Sequence, residues 1–281
     1  MIFVPCFLLF LVIEALSSRL TLNSCRIITV MTKPEIKRWL RPKMKDLSWR
    51  KLLRRLLLIL AALAILYHAS ILYRIIRLRH SNPSTTNLIE LRTESILASG
   101  GKPKRGQKWI PYQSISPHLV RAVLIGEDIR FFRHSGIDWI GVRLALEKNW
   151  EEKRFVRGGS SITQQLAKNL FLSPARNPLR KLHEMLIAWE MEQILGKRRI
   201  LEIYLNVIEW GDGIYGAEAA AHHYFGISAS SLDPDQAVFL SAIIPAPLKG
   251  YSANHYTSYI RTRINMIGER MKYRIPEEDR Y

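Results

Sequence analysis

Glu127 and Asp128 stand side by side in the run Glu127-Asp128-Ile129-Arg130-Phe131-Phe132-Arg133-His134-Ser135-Gly136. They follow directly on an apolar helical stretch, Ile115 to Gly126, and so fall at its C-terminal end. The helix dipole is negative there, which sets both carboxyls against the field and is expected to raise their pKa values. Stabilising surface chemistry would place Lys or Arg at such a position. A carboxyl held against the field suits a group that must take up or release a proton during a reaction. The plainer alternative is a pair of solvated loop acids beside Arg130 and Arg133.

A second chemical stretch is Gly158-Gly159-Ser160-Ser161-Ile162-Thr163-Gln164-Gln165-Leu166-Ala167-Lys168-Asn169. Ser161 and Gln164 have capping-box spacing and open a helix. Its start exposes amide donors that favour anions such as phosphate, and Gln164 and Lys168, four apart, share a face. A plain capped helix would need only the Ser161/Gln164 pair; the added Gln, Lys and hydroxyl groups favour binding. A third stretch, Arg176-Asn177-Pro178-Leu179-Arg180-Lys181-Leu182-His183-Glu184, starts a helix at Pro178. There Glu184 either forms a surface ion pair with Arg180, of little energetic worth, or supplies a second carboxylate facing Glu127. Two further stretches, Lys197 to Asn206 with Gly211, and Gly216 to Phe225, read as architecture, with Asn206 a buried hydrogen-bonding residue. His134, His222 and His223 do not have metal-ligand spacing, so no protein metal site is expected.

The elements that must position these groups are mostly helical. After Pro117 apolar residues recur at three and four, as in Leu119-Val123-Leu124, Ile140-Leu144 and Ile194-Leu195-Leu201-Leu205. No stretch alternates long enough to promise much sheet, and residues 80–114 read as an irregular connector rich in Gly and Pro. Ahead of them lies Leu56 to Tyr73, 18 residues without a formal charge. That is long enough to cross a bilayer, although His68 and Ser70 would also suit a core helix.

The net charge of +18 is uneven, with residues 1–80 holding 15 Lys/Arg against 3 Asp/Glu. A nucleic-acid-binding module would carry that charge on its folded domain, so the distribution argues against one and suits an anionic membrane surface. Ten basic residues between Lys33 and Arg55, against three just beyond the span, put the N-terminus in the cytoplasm. The first sixteen residues are apolar but contain Pro5 and Glu14, and the expected physiological start is Met31 or Met44. Both cysteines, Cys6 and Cys25, lie in that region, leaving the outer domain without a disulfide. The expected organisation is a basic cytoplasmic segment 1–55, a membrane helix 56–76, a connector 77–114 and a mainly α outer domain 115–281.

In this order the five stretches resemble the peptidoglycan glycosyltransferases of family 51, the lipid II polymerases. The pattern E-D-x-x-F-x-x-H-x-G is met at Glu127, Asp128, Phe131, His134 and Gly136. G-x-S-T-I-T-Q-Q-L-x-K-N is met from Gly158 to Asn169, with Ser161 in place of Thr, and R-K-x-x-E at Arg180, Lys181 and Glu184. K-x-x-I-L-x-x-Y-L-N falls at Lys197 to Asn206 and G-x-x-x-A-A-x-x-Y-F at Gly216 to Phe225. The resemblance covers roughly residues 85–260 and implies a lysozyme-like glycosyltransferase fold. With no K-T-G sequence and only about twenty residues after Ile260, the chain resembles the monofunctional form, without a transpeptidase domain.

The resemblance also implies roles. Glu127 is the general base for the acceptor 4-hydroxyl, which attacks C1 of the donor sugar with inversion as undecaprenyl diphosphate departs. Lys168, Arg176 and Lys181 balance the leaving diphosphate, Glu184 belongs to the donor site, and Ser160 and Gln164 bind nearby. Asp128 is a contact for substrate or for an assisting divalent ion such as Mg²⁺; no organic cofactor is implied. The implied partners are lipid II, the growing lipid-linked glycan strand and membrane lipids, with cell-wall synthesis or division proteins as compatible protein partners. The implied location is the outer, periplasmic face of the cell inner membrane, with Phe131, Phe132 and Arg133, or residues 154–157, dipping into the headgroups. Two rival readings are a glycan-cleaving enzyme on the same scaffold and a non-catalytic scaffold of the wall machinery. The first lacks the need for Lys168 and Arg176, and the second predicts decayed motifs.

Overall fold

The computed structural model describes residues 49–103, 106–153, 158–175, 177–249, 251 and 256–273. The expectations attached to residues 1–48, to residues 154–157 and to Arg176 lie outside those residues. The chain divides into two compact units, residues 1–67 and 68–281.

Helix α1 (Trp49–Leu78) begins in the first unit and is, among the described residues, the one helix long and apolar enough to cross a membrane. Thirty residues at about 1.5 Å each give roughly 45 Å, more than a hydrocarbon core requires. Within the first unit its leucines and isoleucines, from Leu52 to Leu66, are exposed, and its first turn holds no acid.

In the larger unit the end of α1 turns amphipathic, and Ile71, Ile75 and Leu78 are buried. Arg199 closes this helix end: its guanidinium donates to the carbonyls of Leu78 and Ser81, each at 2.9 Å, and to Asn82 Oδ1 at 2.8 Å. Cationic capping of free C-terminal carbonyls is the favourable sense of the helix dipole. The stretch read as a connector is not all irregular. It contains α2 (Asn87–Ala98), capped by the Thr86 hydroxyl and held by buried Ile89. A short strand, β1 (Gly106–Gln107), follows.

The remaining helices are α3 (Pro117–Glu127), α4 (Trp139–Glu151), α5 (Ile162–Phe171), α6 (Pro178–Leu195), α7 (Lys197–Val207), α8 (Ala217–Phe225), α9 (Pro234–Ile243) and α10 (Ser258–Lys272). Strands β2 (Glu209–Gly211) and β3 (Ile214–Tyr215) join β1 in a small sheet ordered β1-β3-β2, parallel at β1/β3 and antiparallel at β2/β3. Strands of two or three residues are too short to print an alternating pattern, so the sequence carries no sign of this sheet.

Two helical groupings meet at the site. One sets α3 against α9 and α10; the other sets α5 against α6, α7 and α2. Gly126 permits the first, because a Cβ there would lie 2.5 Å from Ser241 Oγ and 3.0 Å from Ile267. Trp210 and Tyr204 are the largest fully buried side chains. Asn206, 0 % exposed, ties Ile110 to α7: its Oδ1 accepts from Ile110 N at 2.9 Å while its Nδ2 donates to Ile110 O at 2.9 Å. Gly136 has φ +93°, and a Cβ there would press within 2.9 Å of the Ala188 carbonyl, so only glycine lets the loop after Asp128 lie on α6.

Candidate active site

Glu127 is the last residue of α3 and Asp128 its C-cap, so both acids stand at the negative end of the helix. Their surroundings then part. One Glu127 oxygen accepts from Arg263 Nη2 at 2.7 Å and the other from Gln165 Nε2 at 2.9 Å. Tyr204 donates its hydroxyl to Gln165 Oε1 at 2.9 Å, which turns the amide so that its N–H groups face Glu127. Burial pushes the Glu127 carboxyl up, Arg263 and Gln165 pull it back, and the neighbouring Asp128 charge pushes it up again. The net direction is upward, which strengthens the carboxylate as a proton acceptor. Burial, reinforced by the Glu127 charge, drives the Tyr204 hydroxyl well above its usual range, so it stays a donor.

Asp128 is a structural residue. Its oxygens meet His134 Nε2 at 3.1 and 3.0 Å, and Oδ2 accepts from the Ile162 amide at 3.0 Å, at the N-terminus of α5. With a side chain 2 % exposed, Asp128 spends one imidazole contact and one backbone amide on holding the loop to the start of α5, which is a structural use of the group expected to touch substrate or metal.

The cationic half of the site gathers on α5 and α6. Glu184, 3 % exposed, accepts from Arg180 Nη1 at 2.7 Å and from Lys181 Nζ at 2.5 Å, and Lys181 also donates to Ser160 Oγ at 2.8 Å. Of the two readings left open for Glu184, the exposed ion pair does not hold, because the pair with Arg180 is buried; Glu184 and Glu127 both act on the Lys168 ammonium. Glu184 holds two cations in place. Lys168 makes no hydrogen bond or ion pair among the described residues. Burial lowers its ammonium, with Glu184 opposing and the Arg180 and Lys181 charges adding to the effect. Arg180 Nε is buried without a partner among the described residues.

Gln164 also departs from expectation. Its Oε1 accepts from Ser161 N at 3.1 Å in a capping box, as its spacing required, and that use buries it to 2 % exposure. The adjacent Gln165 takes the place facing the base. The capping box already contained the signal, since it commits the Gln164 carbonyl oxygen to the Ser161 amide and fixes the side chain at the helix start.

Across the described chain, the family described as Transglycosylase matches residues 93–272. The chain belongs to the transglycosylase family. The match takes in α10 and therefore Arg263, beyond the stretches whose spacing stood out in the sequence. Similar proteins include the biosynthetic peptidoglycan transglycosylase of Nitrosospira multiformis, 45 % identical over 217 residues that make up 77 % of this chain and 94 % of that one. That of Nitrosomonas eutropha is 50 % identical over 195 residues, 69 % of this chain and 80 % of the other. That of Chromobacterium violaceum is 43 % identical over 223 residues, 79 % and 97 % respectively.

In this transglycosylase only part of the first patch expected at the membrane is exposed, with Ile129 and Arg133 outward, and the second, residues 154–157, lies outside the described residues. Phe131 is buried, edge-on to Phe132 with Lys197 Nζ 4.3 Å from its ring centroid. Exposed apolar side chains cluster on two helices, Trp139, Ile140, Leu144, Leu146 and Trp150 on α4, and Leu179, Leu182, Leu186 and Trp189 on α6. The α6 members recur at three, four and three, one continuous stripe on a helix whose opposite face is core.

Proposed function

We propose that this transglycosylase is a peptidoglycan glycosyltransferase that polymerises lipid II, with Glu127 as general base. Glu127 takes the proton from the 4-hydroxyl of the acceptor sugar, and that oxygen forms a bond to C1 of the donor as the bond to undecaprenyl diphosphate breaks. The electron pair leaves on the diphosphate, and a single displacement inverts C1 to a β-1,4 link.

The observation that carries this reading is the division of the site into one tuned carboxylate and a separate group of cations. Glu127 is oriented by Arg263 and Gln165, with Tyr204 fixing the amide. Apart from it stand the unpaired ammonium of Lys168, the unsatisfied Nε of Arg180, and Lys181. A hydrolase cutting glycan needs the carboxylate but no anion-holding cations. A leaving diphosphate needs them, because charge grows on its oxygen in the transition state. Ser160, bound to Lys181, stands beside this group, and Arg176 is assigned to it from the sequence resemblance.

Glu127, Asp128 and Glu184 each accept from nitrogen donors, and the described residues hold no cluster of three His, Cys, Asp or Glu that would cage a metal on protein ligands alone. A divalent ion such as Mg²⁺ would be held mainly by the substrate diphosphate. We assign the protein's share of charge balance at the diphosphate to Lys168, Arg180 and Lys181. Both substrates carry polyprenyl tails, which agrees with the apolar span in α1 and with the exposed apolar side chains of α4 and α6. We assign the catalytic unit to the outer face of the cell inner membrane, a reading supported by the basic residues ahead of the span.

Polymerisation of purified lipid II by the full chain in detergent, compared with Glu127→Gln, tests the reading. Long glycan strands from the unchanged protein, and a loss of about 10²–10⁴-fold in the variant, are expected. Cleavage of preformed glycan without synthesis would overturn it in favour of a hydrolase.

A further inference from the structure

His68 lies within the uncharged run Leu56 to Tyr73, where an imidazole is costly unless polar partners meet it. Its partners come from α6. His68 Nδ1 lies 3.1 Å from His183 Nε2, and His68 Nε2 lies 2.8 Å from Glu190 Oε1. His183 and Glu190 are seven residues apart, two turns along one face, so both reach the same imidazole. Glu190 is 13 % exposed and its second oxygen, Oε2, is buried without a partner among the described residues. All three residues lie in the larger unit, and none takes part in the proposed reaction.

The geometry limits how many protons the pair can hold. With both rings neutral, His68 donates Nε2–H to Glu190 and accepts His183 Nε2–H at Nδ1. One added proton makes His68 a double donor, to Glu190 and to a neutral His183 with a bare Nε2, so both bonds persist beside an ion pair. A second proton puts N–H against N–H at 3.1 Å, which removes the bond and sets like charges together.

We propose that His68, His183 and Glu190 form a proton-dependent clasp between α1 and α6, closed while the histidine pair holds at most one proton and opened by the second. The charges acting on His183 include His68 from α1 and Glu190 from its own helix. Burial, then the His68 charge, holds His183 below the ordinary histidine value of 6.5, with Glu190 opposing. The stability contributed by the neutral ring is thus present above that value and lost as pH falls through the lower folded one. Because α6 also carries Arg180, Lys181 and Glu184, opening the clasp loosens the helix that presents the cations.

Backbone hydrogen exchange in the full chain, reconstituted in phosphatidylglycerol–phosphatidylethanolamine nanodiscs, reads the clasp without reference to catalysis. Protection of residues 68–78 and 183–195, corrected for the intrinsic pH effect, is followed from about pH 7.5 to about pH 4.5 and compared at the two ends. The unchanged protein should lose up to about tenfold in protection toward the lower pH, the factor set by one part-buried hydrogen bond. His183→Gln keeps a neutral donor toward His68 and cannot charge, so its protection should be the same at both values. A flat response in the unchanged protein, or an equal fall in His183→Gln, would overturn the clasp. Should that variant fail to fold, Glu190→Gln serves instead. Removing the negative charge makes each proton harder to add, so opening moves to lower pH, and an unmoved midpoint would count against the proposal equally.

Discussion

Replacing Arg263 by Gln isolates the electrostatics of the base. The guanidinium stands 2.7 Å from Glu127 Oε1, with side chains 14 % and 9 % exposed, so solvent does little to screen the pair. A hydrogen bond to a charged partner contributes about 1.5–3 kcal/mol. At 1.36 kcal/mol per pH unit, losing it favours the protonated carboxyl by about one to two units. The sign follows from the chemistry: a base must be ionised before it can take a proton, so a harder ionisation moves the acid limb of the rate profile to higher pH. The assay is the pH dependence of kcat/KM for lipid II polymerisation between pH 5 and 9. Arg263 also donates to the carbonyls of Ala242 and Gly126, so the variant is less stable, but a smaller folded fraction lowers the plateau and leaves the limb in place. Arg263→Lys keeps a positive charge and should return the limb most of the way. A limb that stays within about 0.3 unit in Arg263→Gln while the plateau falls would refute the assignment of Arg263 as a positioning residue for Glu127.

Lys168→Ala should lower kcat by about 10²–10³-fold with thermal unfolding unchanged, and Lys168→Arg should recover part of it; single-turnover kinetics with near-wild-type rates would remove Lys168 from the diphosphate site. Asp128→Asn weakens the contact to His134 and the Ile162 amide, costing about 1–3 kcal/mol in thermal unfolding. Its Mg²⁺ dependence should match that of the unchanged protein, and a tenfold change in the half-saturating Mg²⁺ would restore Asp128 as a metal contact. Trp150 is 86 % and Trp189 51 % exposed. In vesicles with brominated acyl chains the triple variant Trp139→Phe/Trp150→Phe/Trp189→Phe should lose a clear part of the quenched tryptophan signal, leaving that of Trp49 on α1, whereas undiminished quenching would take α4 and α6 off the bilayer.

What could be read from the sequence depended on how far apart in the chain the interacting groups lie. Ser161 and Gln164, three residues apart, announce their capping box because both partners sit in one turn. The placement of Glu127 at a helix end is likewise local, as is the buried role of Asn206 inside an apolar run. Arg263 is the opposite case. It meets Glu127 across 136 positions, and within Arg261-Thr262-Arg263 nothing in composition marks it out from other basic residues on an amphipathic helix. His68 was legible only as an oddity, a polar residue in an apolar span; its explanation lies more than a hundred residues away on α6. The same holds for Asp128, whose neighbour does chemistry while it serves structure. Two adjacent acids share a sequence environment, and what separates them is three-dimensional: Arg263 and Gln165 arrive from α10 and α5 on one side, His134 and the Ile162 amide on the other. Long-range partners therefore assign the roles of residues that local pattern can only nominate: a guanidinium and an amide orient Glu127, while an imidazole and a backbone amide use Asp128 to hold the loop to α5.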